Sequence, residues 1–249
     1  MLGDTQTPET SDTLPAIEID TAHESMTAAT WYDSDGNTKL LRFVPSGSRV
    51  LDIGCATGRR GAWLREHSQC QVVGVEIDPS MVAAARPRCD DVHRADIEDL
   101  PALPYPDESF DILIFGDVLE HLKNPERVLV YLQRYLRPDG RVLISLPNFL
   151  FLFVRIKVVL GLFRYTEYGI LDKTHLHFYT RETARELAEN CGLAVRVWDY
   201  MPPGYGPWRM IPASVRNVAA KVWPSLFAFQ FVMNCAKREN REHGIAKQG

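Results

Sequence analysis

The sequence predicts an α/β fold built on a doubly wound, mostly parallel sheet, and three observations point to it. Short apolar runs recur along the chain and end in acids or glycines, as strands buried on both faces do. Helical segments separate these runs, and strand–helix alternation implies parallel strands joined by right-handed crossovers. A glycine-rich turn closes the first run and opens a helix, which is a cradle for a ligand.

The elements follow in order. Val50-Leu51-Asp52-Ile53-Gly54-Cys55-Ala56-Thr57-Gly58 reads as a buried strand and its turn, with a helix over Arg59–His67. Gly54 and Gly58 let the backbone turn sharply and let a ligand approach where a Cβ would obstruct it. Val72 to Asp78 is a second strand carrying Glu76 and Asp78 at its end, and Pro79 to Ala85 is a helix. Arg94-Ala95-Asp96-Ile97 ends a third strand, and Phe110 to Asp117 is a fourth. Pro125 to Leu136 reads as helix, and Leu136 to Pro147 as a turn leading into the fifth strand. Thr180-Arg181-Glu182-Thr183 is an N-cap signal for a helix to about Cys191, ended by Gly192. Leu193 to Tyr200 is a sixth strand, and Leu226 to Ala236 a candidate seventh.

The turn excludes two ligands. A dinucleotide turn reads G-x-G-x-x-G, which fails at Ala56 and Arg59 and disfavours an NAD-dependent reductase; the G-K-[ST] of a P-loop is absent. Asp52 repels a pyrophosphate but suits a cationic ligand with an ammonium group. The D-x-G-x-x-x-G of Asp52 to Gly58 resembles the first motif of the class I S-adenosylmethionine-dependent methyltransferases. Five strand ends in the family's order, from Ser48 to Asn148, carry the resemblance. Glu76 lies 22 residues after Gly54, near the separation at which a strand-end acid meets a ribose.

The resemblance implies a Rossmann-like, seven-stranded sheet whose last strand is antiparallel, a helical cap inserted after strand five, and S-adenosylmethionine as cofactor. It implies that the turn of Asp52, Gly54, Cys55 and Gly58 holds the methionyl end and that Glu76 accepts from the ribose hydroxyls. Ile77 would lie on the adenine face. Asp96 would take the adenine amino group with Ile97 beside it, though Asp96 also reads as a helix cap. Gly116 and Asp117 would line the methionyl side.

At 249 residues and 45% apolar composition the chain is one domain with a sizeable core, and its net charge of −4 argues against a nucleic-acid partner. Five scattered cysteines without a C-x-x-C pair read as reduced thiols of a cytoplasmic protein. No secretory signal opens the chain; eight acids precede the first Lys or Arg, Lys39. Residues 1–20 read as a disordered acidic segment and 21–249 as a single methyltransferase domain, with cap segments at about 149–180 and 201–224. His23 to Val44 suggests a helical segment over the cofactor, in which Trp31 and Tyr32 contact ligand or pack on the sheet. Phe149 to Phe163 is too short and too charged to span a bilayer, which leaves peripheral membrane contact open. Oligomeric state is not legible.

Two further segments carry chemistry. Asp117-Val118-Leu119-Glu120-His121-Leu122 resembles the segment after the fourth strand of ubiquinone-type O-methyltransferases. Asp117, Glu120 and His121 would share a helix face and could hold Mg²⁺ or Zn²⁺, or else shape the pocket; the expectation is that no metal is needed. Gly169 to Thr180 resembles a stretch in methyltransferases of sugars and natural products. It supplies the catalytic candidates Asp172, His175 and His177. His175 reads as a general base that Asp172 orients or makes more basic, or as a buried post that fixes the lid. His177 stands where relatives often show Arg. The expected function is methyl transfer to a small-molecule acceptor, at oxygen; the alternative is a cofactor-binding protein acting as a non-catalytic regulatory or biosynthetic partner.

Overall fold

The computed structural model describes residues 38–204 and 206–238. The expectations for residues 1–20 and for Trp31 and Tyr32 lie outside them, and of the leading segment to Val44 only residues 38–44 are described, helical over α1, Thr38–Leu41, and then a turn. Seven strands form one sheet: β1 (Arg49–Ile53), β2 (Gln71–Glu76), β3 (Asp91–Arg94), β4 (Phe110–Gly116), β5 (Leu136–Pro147), β6 (Leu193–Met201) and β7 (Gln230–Lys237). Their order is β3-β2-β1-β4-β5-β7-β6, with β7 antiparallel to both neighbours and the other pairings parallel. The chain runs outward from β1 to β3 and returns to β4, so the order reverses between β1 and β4. The crevice past the C-terminal ends of those strands is where open α/β sheets bind ligands.

Both sheet faces are covered, which is why the central strands are apolar throughout. Leu51, Ile53, Leu113 and Phe115 point into one cluster with Leu129 and Leu132 of α4 (Pro125–Leu132) and Leu187 of α6 (Arg181–Asn190). Val50, Ile112 and Ile114 point into the other, with Leu40 of α1, Leu64 of α2 (Arg59–Ser68) and Val82 of α3 (Pro79–Ala85). Local chemistry sets the helix ends. Asp78 accepts from Ser80 N and Met81 N ahead of Pro79, and Thr180 and Thr183 form a reciprocal capping box.

Three sequence-derived boundaries shift. The third strand stops at Arg94 because Asp96 accepts from Glu98 N and starts a 3₁₀ turn, Ile97–Asp99. The helix from Pro125 ends at Leu132, continues as a 3₁₀ turn to Tyr135 and hands over to β5. Leu226 is helical rather than extended: Pro224 opens the short helix α8 (Pro224–Phe227), and β7 begins only at Gln230. The cap contains α5 (Leu152–Val159), a 3₁₀ turn at Gly206–Met210 and α7 (Ala213–Val222).

Candidate active site

The turn after β1 is fixed by hydrogen bonds to β2: Gly54 N and Cys55 N both donate to Val75 O, at 2.8 and 3.1 Å. Gly54 (φ 64°) and Gly58 (φ 76°) occupy the left-handed region, and a Cβ on Gly54 would come within 2.4 Å of Val118 Cγ2. Ala56 adopts φ 46° without being glycine; its N–H is held at 2.9 Å by Glu76 Oε2. Glu76 Oε1 accepts from Ile77 N and Asp78 N at 2.8 and 3.0 Å. Its carboxylate therefore joins the turn after β1 to the turn after β2, and the remaining lone pairs of its oxygens are what a ribose diol would use. Beside it Ile77 is 56% exposed, a large aliphatic side chain left open at the sheet edge. Asp96 Oδ1 serves the cap at Glu98 N, and Ile97 is buried.

Two turn residues depart from expectation. Asp52 does not face an open ligand position. It is 0% exposed, and Arg60 holds both its oxygens, Nη2 to Oδ1 at 2.8 Å and Nε to Oδ2 at 3.2 Å. The same guanidinium reaches Gly54 O at 2.9 Å and Gly116 O at 3.4 Å. Burial pushes the Asp52 carboxyl up and Arg60 pulls it back; a bidentate guanidinium on both oxygens keeps it a carboxylate. The Cys55 side chain points away from the crevice, against Gly74, where a Cβ would come within 2.6 Å of Sγ. Burial, reinforced by Asp52, raises its thiol pKa, so Cys55 lends the cradle only backbone. Arg60 itself was missed: nothing in the sequence distinguishes a buried arginine from Arg59 beside it.

At the end of β4, Asp117 adopts φ 56° and is held from β5 and β7: Oδ1 accepts from Ser145 Oγ at 3.0 Å and Gln230 Nε2 at 2.7 Å. That fixes the 3₁₀ turn Leu119–His121, and with it Glu120 and His121. The cap loop then closes on this turn, because Leu176 N and His177 N both donate to Glu120 O, at 2.8 and 3.1 Å. Glu120, His121 and His175 come together, with one donor atom of each within 4.8 Å of the others. Asp117 is not in this group, contrary to the metal-site alternative. Two donors on one Zn²⁺ sit about 3.4 Å apart, given metal–ligand bonds of about 2.1 Å, so the group is wider than a closed coordination sphere.

The tautomers follow from the neighbours. His175 Nδ1 lies 3.0 Å from Ile170 O, an acceptor only, so the proton is on Nδ1 and Nε2 carries a lone pair. Thr174 Oγ1 donates to Asp172 Oδ1 at 2.7 Å, which makes it the acceptor for His121 Nδ1 at 3.0 Å. The two rings meet edge-on at 4.7 Å. Burial and the neighbouring His121 push the His175 pKa below 6.5. Glu120 is 1% exposed, and among the described residues neither of its carboxylate oxygens has a hydrogen-bond partner. Burial, with Asp117 adding, raises its pKa well above 4.5. Burial thus disfavours the charged form of both groups, the imidazolium of His175 and the carboxylate of Glu120.

The Asp172 carboxylate does not bond the His175 ring: its Oδ1 is taken by Thr174 N and Oγ1, both at 2.7 Å, and it acts on His175 through its charge, which raises the His175 pKa against burial. The segment is not a regular strand, and the His177 ring lies against Tyr179 at 6.2 Å.

A family model described as "Methyltransferase domain" matches residues 32–196. Methyltransferase GfsG of Streptomyces halstedii is 33% identical over 107 residues, 41% of this chain and 38% of that protein. The 27-O-demethylrifamycin SV methyltransferase of Amycolatopsis mediterranei is 33% identical over 113 residues, 42% of this chain and 40% of its own. Phosphoethanolamine N-methyltransferase 1 of Arabidopsis thaliana is 29% identical over 102 residues, 40% of this chain but 21% of the plant protein. The matches thus span about two fifths or less of these relatives' length. Among solved structures, a SAM-dependent methyltransferase from Archaeoglobus fulgidus superposes with TM-score 0.57 at 21% identity, covering 81% of this chain and 91% of that one. A possible histamine N-methyltransferase from Thermotoga maritima gives 0.58 at 20%, covering 82% and 88%.

Proposed function

This chain belongs to the methyltransferase-domain family, as a class I enzyme that uses S-adenosylmethionine, and within it we propose that it methylates an oxygen of a small-molecule acceptor. The observation that carries this reading is the lone pair of His175 Nε2 beside an unpartnered, buried Glu120, at the edge of the crevice.

The crevice fits the cofactor. Glu76 offers carboxylate lone pairs for the ribose, Ile77 an open aliphatic surface for the adenine, and Gly54 and Gly58 a turn without Cβ atoms. Gly116 and Asp117 bound the methionyl side. Asp52 contributes through Arg60, whose guanidinium suits the methionyl carboxylate better than its ammonium. Asp96 has its second oxygen for the adenine amino group. When bound, S-adenosylmethionine supplies a methyl group on a positively charged sulfur that departs as a neutral thioether.

The remaining work falls to this chain's own residues. An acceptor hydroxyl is a poor nucleophile, so its proton must leave as the oxygen attacks. His175 Nε2 receives that proton, and the ring stays oriented by its Nδ1–H bond to Ile170 O. Glu120, buried beside His121 and His175, backs the base from within the fold. His121 limits the space on the other side. The cap loop, tied down at Glu120 O, keeps water out.

The test uses candidate acceptors from a cell extract, scored by mass spectrometry for added methyl. With an acceptor in hand, His175→Ala lowers kcat by roughly 10²–10⁴ while S-adenosylhomocysteine affinity stays within a few-fold. His175→Gln stays slow, because an amide cannot take the proton. Near-normal turnover in His175→Gln assigns His175 a structural role and defeats this reading. The regulatory-partner alternative predicts cofactor binding with no methylated product from any pool.

A further inference from the structure

The cap carries an apolar face that the described residues leave uncovered. On α7, Val215, Val218 and Val222 recur at helical spacing and are all exposed, Val222 at 79%. At the end of α5, Val158, Val159 and Leu160 are exposed in turn, Val159 at 85%, and the exposed rings of Phe163 and Tyr165 follow. The inner sides of both segments are already used. Trp208, in the turn before α7, packs on Phe151, Phe153 and Phe227 at 6.0, 5.8 and 6.3 Å, and Arg155 Nη2 donates to Ser225 O of α8 at 3.2 Å. Ala220 of α7 is buried with Ala228 and Phe231. Helix α5 is thus tied to the elements that flank α7 on both sides.

Charge selects what covers them. From Phe149 to Thr166 there are three bases, Arg155, Lys157 and Arg164, and no acid. From Met201 to Phe229 there are three bases, Arg209, Arg216 and Lys221, and again no acid, in a chain whose net charge is −4. Exposed aliphatic side chains set among bases, with Trp223 and Tyr165 at the margin, match a lipid surface bearing negative headgroups. A second copy of the chain fits less well, since a two-fold contact through this face sets bases against bases. No described helix is long and apolar enough to cross a membrane, so contact is in the plane of the surface.

We infer that the cap docks against an anionic lipid bilayer through α7 and the end of α5. The full chain should co-sediment with vesicles of phosphatidylglycerol and phosphatidylcholine, bind pure phosphatidylcholine at least tenfold more weakly, and release as salt rises. The doubly substituted Val159→Asp, Val222→Asp chain should partition at least tenfold less. Both positions are exposed, so its melting temperature and S-adenosylhomocysteine affinity should match those of the parent. Three results overturn the inference: a parent chain that stays in the supernatant at low salt, a variant that pellets as the parent does, or a parent dimer in solution that the variant breaks without any vesicle binding.

Discussion

Glu120 is the residue whose environment is least compensated, and it makes a stability prediction independent of turnover. A buried polar group without a partner costs about 1–3 kcal/mol. The sign follows from the pKa: a carboxyl raised in the folded state binds its proton more tightly there than in the unfolded chain, so stability falls as pH rises through its range. Glu120→Gln should therefore raise the melting temperature at pH 8 by a few degrees and have a smaller effect near pH 5. Equal shifts at both pH values would show that Glu120 is not held neutral. As the proposed base, His175 should set the acidic limb of the rate profile. Its pKa is pushed below 6.5, so kcat should persist to lower pH than an ordinary histidine allows. Glu120, His121, Asp117 and Asp172 are the charged or titratable groups around it. The donor spacing of the Glu120, His121 and His175 group also makes chelation a clean test: extensive EDTA treatment should leave turnover nearly intact, and a loss restored by Zn²⁺ or Mn²⁺ would turn those three residues into ligands. Deeper in the crevice, Arg60→Leu strands Asp52 as an unpaired buried carboxylate, a change that costs about 3–5 kcal/mol. The Asp52→Asn, Arg60→Leu pair should cost less than Arg60→Leu alone in denaturant melts.

At the scale of elements, the glycine turn is where sequence and structure agree most closely, because backbone geometry there leaves little choice. Gly54→Ala sets a Cβ against Val118 and forces a side chain into φ 64°; it should lower both cofactor affinity and melting temperature, and calorimetry with S-adenosylhomocysteine measures the first. Strands β1, β2 and β4 were legible because they are buried on both faces and end in acids or glycines. The start of β7 was not, since Leu226 and Phe227 are as apolar as a strand and only Pro224 marks them as helix. The segment proposed as catalytic was legible in part. The family resemblance singled out His175, and Asp172 was set to orient it because three residues of separation look like contact, whereas the loop turns the Asp172 carboxylate onto Thr174. Glu120 was found at the right place for the wrong partnership. A 3₁₀ turn does not present Asp117 and Glu120 as an α-helix would, and Asp117 is drawn off to Ser145 and Gln230. The pairing of Glu120 with His175 joins positions 55 residues apart, which no local pattern reports.

Across the whole molecule, ligand binding and fold stability meet at the same strands. β1 lies between β2 and β4, its side chains enter both hydrophobic clusters, and its end is the cradle. A ligand that fixes this end fixes the centre of the sheet, so S-adenosylhomocysteine should raise the melting temperature of the entire domain in one transition. At a hundredfold excess over Kd the linkage is about 2.7 kcal/mol. For a domain of this size each kcal/mol shifts the midpoint by about 2–4 °C, which gives a rise of roughly 5–11 °C. Glu76 separates binding from architecture. Its carboxylate holds Ala56 N, Ile77 N and Asp78 N, so Glu76→Ala loosens the turns and, on the proposed reading, also removes the ribose acceptor. Glu76→Gln keeps one oxygen for the backbone and loses the charge-assisted bonds, each worth about 1.5–3 kcal/mol. The Gln variant, whose amide nitrogen must face one of these backbone donors, should melt below the parent but above the Ala variant without ligand, and both should show a much smaller rise with ligand than the parent does. A full ligand-induced rise in Glu76→Gln would mean that the ribose is held elsewhere, and that Glu76 serves only to join the turns after β1 and β2.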